Sequence, residues 1–133
     1  MRTMEIKKSL RLAFADLQKA QNELNRPEED LVPLCVCSSA RHSMSAMMRL
    51  FLLTKTLNTE EDASLKALFR KCGEYEKEFN RLNLDNLLCQ SLKLSACEDK
   101  NCISLKNLNA CVALTGRLKD IVSKILQPED KEE

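Results

Sequence analysis

The chain has 133 residues, which suits a single domain with one hydrophobic core. Two glycines and three prolines leave little turn chemistry for a multi-stranded sheet. A formal charge of +1 argues against a strongly electrostatic nucleic-acid binder, while a small local cationic patch is still compatible with it. We therefore expect one helical domain over residues 1–133, with frayed ends at 1–5 and 127–133.

The first predicted helix runs from Ile6 to Leu24. Its apolar residues recur at alternating spacings of three and four, as one face of a helix requires. They are Leu10, Ala13, Leu17, Ala20 and Leu24. Pro27 breaks the helix, and Pro33 suits the first turn of the next one, where a missing N–H costs nothing.

The second predicted helix, over residues 34–57, is the most apolar stretch of the chain and should be the central helix. One stripe on it contains Cys37, Ala40, Met44, Met47 and Phe51. Further leucines extend the apolar surface over most of the circumference, which is typical of a helix covered by several neighbours or by a second subunit. We therefore predict that Met44, Met47 and Phe51 contribute to a dimer interface.

A narrow polar wedge lies opposite that stripe and is locally basic, because no Asp or Glu occurs from residue 31 through 59. We predict that Arg41, His42, Ser45 and Arg49 on this side bind a ligand. The same polar residues interrupt the apolar run, so we do not expect a membrane span.

Two further long segments complete the predicted fold. Thr59 and Asp62 have the spacing of a capping pair before a third helix, and Gly73 within that helix is expected to bend or end it. Its inward residues should be Leu65, Leu68, Phe69, Cys72, Tyr75 and Phe79. A short helix is predicted over 87–94 and a last one over 103–126. The fold class is all-α, a single antiparallel up-and-down bundle of four to five helices.

The residue patterns give little support for a catalytic site or a metal site. His42 is the single histidine, and its helical neighbours include no carboxylate, so an ordinary interfacial histidine is favoured over a serine–histidine dyad. Cys35 and Cys37 would point about 200° apart on a helix and cannot share one ion. Cys97 and Cys102 flank a loop, but no second pair has a comparable spacing. We expect no metal and no cofactor.

The seven cysteines are an odd number, and the first residues lack an uninterrupted apolar export segment. Reduced thiols in a cytoplasmic protein are the simplest interpretation.

Three segments resemble the HEPN domain, a small helical nucleotide-binding family of prokaryotes and higher eukaryotes. The first helix, LAFADLQKAQNEL, has the family's opening at Asp16, Leu17 and Ala20. ARHSMSAMMRLFLLTKT is similar to the second helix of the family, and ASLKALFRKC is similar to the third. The resemblance implies a four- or five-helix bundle, a homodimer, and pairing with a small nucleotidyltransferase in a toxin–antitoxin-like module.

Catalytically active HEPN proteins are metal-independent ribonucleases that use an Arg followed four to six residues later by a His. Here the nearest match pairs Arg81 with Asn86, and an asparagine cannot accept a proton from a ribose hydroxyl near neutral pH. We therefore predict a non-catalytic binding module for a nucleotide, RNA or a partner protein. The alternatives are a ribonuclease with an unrecognised site, such as Arg81 brought close to His42, and a purely structural adaptor.

Overall fold

The computed structural model describes residues 3–27, 29–31, 33–55, 64–82 and 105–126. The elements are α1 (Thr3–Leu24), α2 (Pro33–Thr54), α3 (Leu65–Tyr75), a 3-10 helix (Lys77–Arg81) and α4 (Leu105–Leu126). Within these ranges there is no strand, so the all-α class is confirmed. The short helix predicted over 87–94 lies outside the described residues.

The ends of the long helices agree closely with the sequence patterns. α1 and α4 end at Leu24 and Leu126, as predicted, and α2 begins at Pro33. α2 ends at Thr54, three residues before the predicted end. α1 begins earlier than expected, at Thr3 instead of Ile6. The pattern did not place this start because the apolar repeat of the helix begins only at Leu10.

The third helix, α3, begins at Leu65. Its N-cap is Ser64, whose hydroxyl oxygen accepts a hydrogen bond from the Ala67 N–H at 3.1 Å. Ser64 is itself a strong N-cap residue and lies directly before the buried Leu65, so the apolar face begins there. The predicted capping pair, Thr59 and Asp62, lies outside the described residues.

α3 does not end at Gly73 but at Tyr75, where Glu76 adopts an extended conformation. Gly73 has a different use. A Cβ atom at this position would collide with the side chain of Asn80, whose amide nitrogen donates to the Gly73 carbonyl at 3.4 Å. The glycine thus leaves room for the exposed Asn80 side chain, which links the 3-10 helix to α3.

α2 is the central helix, since it packs against α1, α3 and α4. On the α1 side, the Ser43 hydroxyl donates to the Ala13 carbonyl at 2.7 Å. On the α3 side, the Cys72 thiol donates to the Met48 carbonyl at 3.7 Å. The short connection between α1 and α2 makes these two helices antiparallel.

The core forms where the periodicity predicted it. All five residues of the α2 stripe are buried, as are Leu10, Ala13, Leu17 and Ala20 of α1. Phe79 of the 3-10 helix packs on Phe51 with ring centroids 4.9 Å apart. Tyr75 is an exception and is 49% exposed, because α3 ends at this residue. No helix within the described ranges has the length and apolarity needed to cross a membrane.

Candidate functional site

The residues predicted to bind a ligand lie in different environments on α2. Arg41 is only 1% exposed, whereas His42, the next residue, is exposed. Ser45 is buried and Arg49 is half-buried. The four side chains therefore do not form one open site, because Arg41 and Ser45 are covered by the bundle while His42 faces solvent.

Arg41 belongs to the interior of the bundle. Its Nε atom donates to the Cys37 carbonyl at 3.3 Å, one turn earlier in the same helix. Arg41, Ser45, Met48 and Leu52 recur at spacings of four, three and four, and all four are buried. This spacing was a signal available in the sequence, but the charge of Arg41 favoured a solvent-facing interpretation. An external ligand cannot reach the guanidinium in this structure.

Arg49 is held to its own helix. Its Nε atom donates to the Ser45 hydroxyl oxygen at 3.0 Å, which satisfies the buried serine. The outer side of α2 that carries Arg49 also carries the exposed Cys35, His42 and Leu53. This narrow strip is the part of α2 that the other described helices leave open.

The residues predicted for a dimer interface are buried within the single chain. Met44, Met47 and Phe51 are each 1% exposed or less, and the neighbouring helices cover them. The wide apolar circumference of α2 is thus explained without a second subunit. Three large hydrophobic side chains of the described residues are exposed, on three different helices: Leu12, Leu53 and Tyr75.

The residues of the degenerate ribonuclease motif do not form a pair with His42. Arg81 is exposed at the end of the 3-10 helix and contacts Glu78 at 3.5 Å. That helix is anchored by Phe79 on Phe51, nine residues beyond His42, or about 14 Å along α2. Asn86 lies outside the described residues. The geometry places Arg81 and His42 at different levels of the bundle.

The four described cysteines are reduced thiols in contrasting surroundings. Cys35 is exposed, while Cys37, Cys72 and Cys111 are buried. Burial raises the pKa of the Cys72 thiol to about 12, so it stays protonated and unreactive near neutral pH. Among the described residues, no three His, Cys, Asp or Glu side chains are grouped as metal ligands would be. Cys97 and Cys102 lie outside these ranges.

Among the charged side chains that the structure describes, Arg41 alone is buried.

The most concentrated cations on α1 lie in its first three turns. Lys7, Lys8 and Arg11, together with Glu5, line an open groove of about 450 Å³. Lys8 and Arg11 form no ion pair within the part of the chain that the structure describes. Three cations beside one carboxylate on the first turns of α1 are suited to an anionic partner.

Comparisons with known proteins do not assign this chain to a family. No family model matches it, and no curated protein or solved structure shows significant similarity to it. The functional argument therefore depends on the geometry and charge of the helices described above.

Proposed function

We propose that this protein is a non-catalytic helical binding module of HEPN type that recognises an anionic partner through the cationic first turns of α1. The observation that carries the proposal is the cluster of Lys7, Lys8 and Arg11 in these turns beside a single carboxylate, Glu5. Surface cations of one sign raise the local concentration of anionic partners and speed their association.

The surroundings of His42 support binding without catalysis. A general base needs a positioned partner that holds its tautomer and a substrate within hydrogen-bond reach. His42 is exposed on α2, and none of the described carboxylates hydrogen-bonds to it. Arg81 belongs to the 3-10 helix, whose Phe79 packs on Phe51, about 14 Å along α2 from His42. This separation supports a binding function over ribose cleavage.

The HEPN resemblance adds specific candidates for the partner. It implies a nucleotide or RNA as ligand, a small nucleotidyltransferase as protein partner, and a homodimer as the functional unit. A homodimer would use surfaces other than Met44, Met47 and Phe51, since these residues are fully covered within one chain.

Binding is tested by fluorescence anisotropy with two labelled polyanions, a mixed-sequence single-stranded RNA and poly-glutamate, with poly-lysine as the control of opposite charge. We expect affinity for at least one polyanion, falling by a factor of ten or more as salt rises from about 50 to about 200 mM. Absence of polyanion binding at the lower salt concentration, or equal binding of poly-lysine, would contradict the proposal.

Catalysis is tested separately by incubating the wild-type protein and the His42→Ala variant with a mixed RNA pool in EDTA. We expect no cleavage by either protein. Cleavage by the wild type that disappears in the variant would establish the ribonuclease alternative instead.

A further inference from the structure

We propose that α3 and the 3-10 helix open together as one unit, away from a three-helix core of α1, α2 and α4 that stays folded. The opening makes the α2 side chains beneath this unit, Phe51 among them, accessible to solvent without unfolding of the domain. This conformational device goes beyond the proposed function and does not depend on it, because no anionic partner takes part in the opening.

The first observation is that the three long helices enclose one another. α1, α2 and α4 have 22 residues each, and each of them packs against the other two. Leu17, Met47 and Val122, one from each helix, are fully covered members of their common core. Three mutually packed helices of this length each have two neighbours on which to bury an apolar face, so they keep a core when α3 leaves.

The second observation is the smaller attachment of α3. This helix has 11 residues, of which only Leu65, Leu68 and Cys72 are buried. It packs on α2 and on the 3-10 helix, and the Cys72 thiol donates to the Met48 carbonyl of α2 at 3.7 Å. A thiol is a weak hydrogen-bond donor. Separation of α3 from α2 therefore costs much less free energy than separation of the long helices from one another.

The third observation is that α3 and the 3-10 helix are tied to each other. The Glu76 N–H, at their junction, donates to the Cys72 carbonyl at 3.0 Å. The side-chain amide of Asn80 donates to the Gly73 carbonyl at 3.4 Å, in a space that a Cβ atom at Gly73 would fill. These bonds lie within the segment and are kept when it moves. The contact of Phe79 with Phe51 therefore breaks together with the contacts of α3.

Two buried thiols make this opening measurable. Cys72 in α3 and Cys111 in the interior of α4 are each 2% exposed or less. A thiol reagent reaches a buried cysteine when the segment around it opens, so a labelling rate proportional to reagent concentration reports the population of the open form. If α3 opens while the long helices stay folded, Cys72 reacts through this opening and Cys111 through global unfolding.

The test is pulse labelling of the native wild-type protein with N-ethylmaleimide, with each cysteine quantified by digestion and mass spectrometry. Each rate is divided by that of the same cysteine in the urea-unfolded protein, and the exposed Cys35 is the control for an unprotected thiol. We expect Cys72 to react at least about tenfold faster than Cys111. Its rate should also rise less steeply with urea, because a partial opening exposes less surface than unfolding does.

A core substitution separates partial opening from unfolding. Leu17→Ala removes contacts within the three-helix core, which are present in both the closed and the open form. We expect it to accelerate labelling of Cys111 by about tenfold or more and of Cys72 by less than about twofold. Val122→Ala is a smaller deletion in the same core and serves if Leu17→Ala does not fold. The matched control is Phe79→Ala, which destabilises the closed form alone and should accelerate both thiols by the same factor.

Two results would overturn the inference. Equal corrected rates for Cys72 and Cys111, or equal acceleration of both by Leu17→Ala, would show that the described helices unfold as one unit. Faster labelling of Cys111 than of Cys72 would show that α4, not α3, is the weakly attached helix.

Discussion

α1 and α2 have the same length, 22 residues, and pack directly against each other, yet they treat polar and apolar residues in opposite ways. α1 leaves a leucine, Leu12, in solvent, whereas α2 buries an arginine, Arg41. α1 contains seven Asp, Glu, Lys and Arg residues and α2 contains two. The comparison teaches that a binding surface cannot be located from the basic character of a segment alone. The position of the segment in the bundle decides whether its charged side chains are accessible.

The cause is the number of neighbours. α2 contacts all three other described α-helices, so most directions around it are occupied. α1 packs against α2 and α4 and keeps one side in solvent. An arginine on the open side of α1 would be exposed to solvent. Arg41 on α2 is instead enclosed by neighbouring helices, and it is therefore a structural residue.

The largest effect is expected from a charge placed in the interior stripe of α2. Met47→Glu should lower the free energy of unfolding by more than about 4 kcal/mol, because it buries an unpaired carboxylate in a fully covered position. Denaturant unfolding followed by circular dichroism measures this change. A folded Met47→Glu monomer, formed from a wild-type dimer, would show that Met47 lies between subunits and would reverse the interpretation of α2.

The two arginines of α2 should differ strongly. Arg41→Ala is expected to lower the free energy of unfolding by about 2–4 kcal/mol, since it removes buried packing and the hydrogen bond to the Cys37 carbonyl. Arg49→Ala removes a bond to Ser45 at a half-buried position and should cost about 1 kcal/mol. Urea unfolding of both variants checks the difference, and equal losses would contradict the burial of Arg41.

The Cys72 thiol, at the contact between α3 and α2, should make the free energy of unfolding decrease at alkaline pH. The Cys72 pKa is about 12 in the folded state against 9.0 when unperturbed, so between these values the unfolded state binds fewer protons. Stability from this group is fully present below pH 9 and is lost as pH rises toward 12, by about 1.4 kcal/mol per pH unit. Unfolding measured above pH 9 should show a smaller slope for Cys72→Ala than for the wild type. Identical slopes would mean that the thiol is accessible to water.

The smallest effect is expected on the open side of α1. Leu12→Gln should change the free energy of unfolding by less than about 0.5 kcal/mol, because the side chain makes few contacts in the folded chain. Leu17→Gln, at a buried position of the same helix, is the control and should cost more than about 3 kcal/mol. A large loss for Leu12→Gln would show that another part of the chain covers this residue.

The sequence by itself determined the helices and the faces they bury. Leu10, Ala13, Leu17 and Ala20 are buried as their spacing predicts, and so is the whole stripe from Cys37 to Phe51. This information is local, because the period of 3.6 residues is a property of consecutive residues in one helix. The ends at Leu24 and Leu126 followed from the same periodicity and from nearby prolines.

Only the tertiary structure decided which polar residues are available for function. Ser43 is buried because the Ala13 carbonyl of another helix accepts its hydrogen bond, and Arg41 is buried because the neighbours of α2 leave no solvent on that side. Burial of a side chain depends on which other helices surround it, and a periodic pattern within one helix does not contain that information.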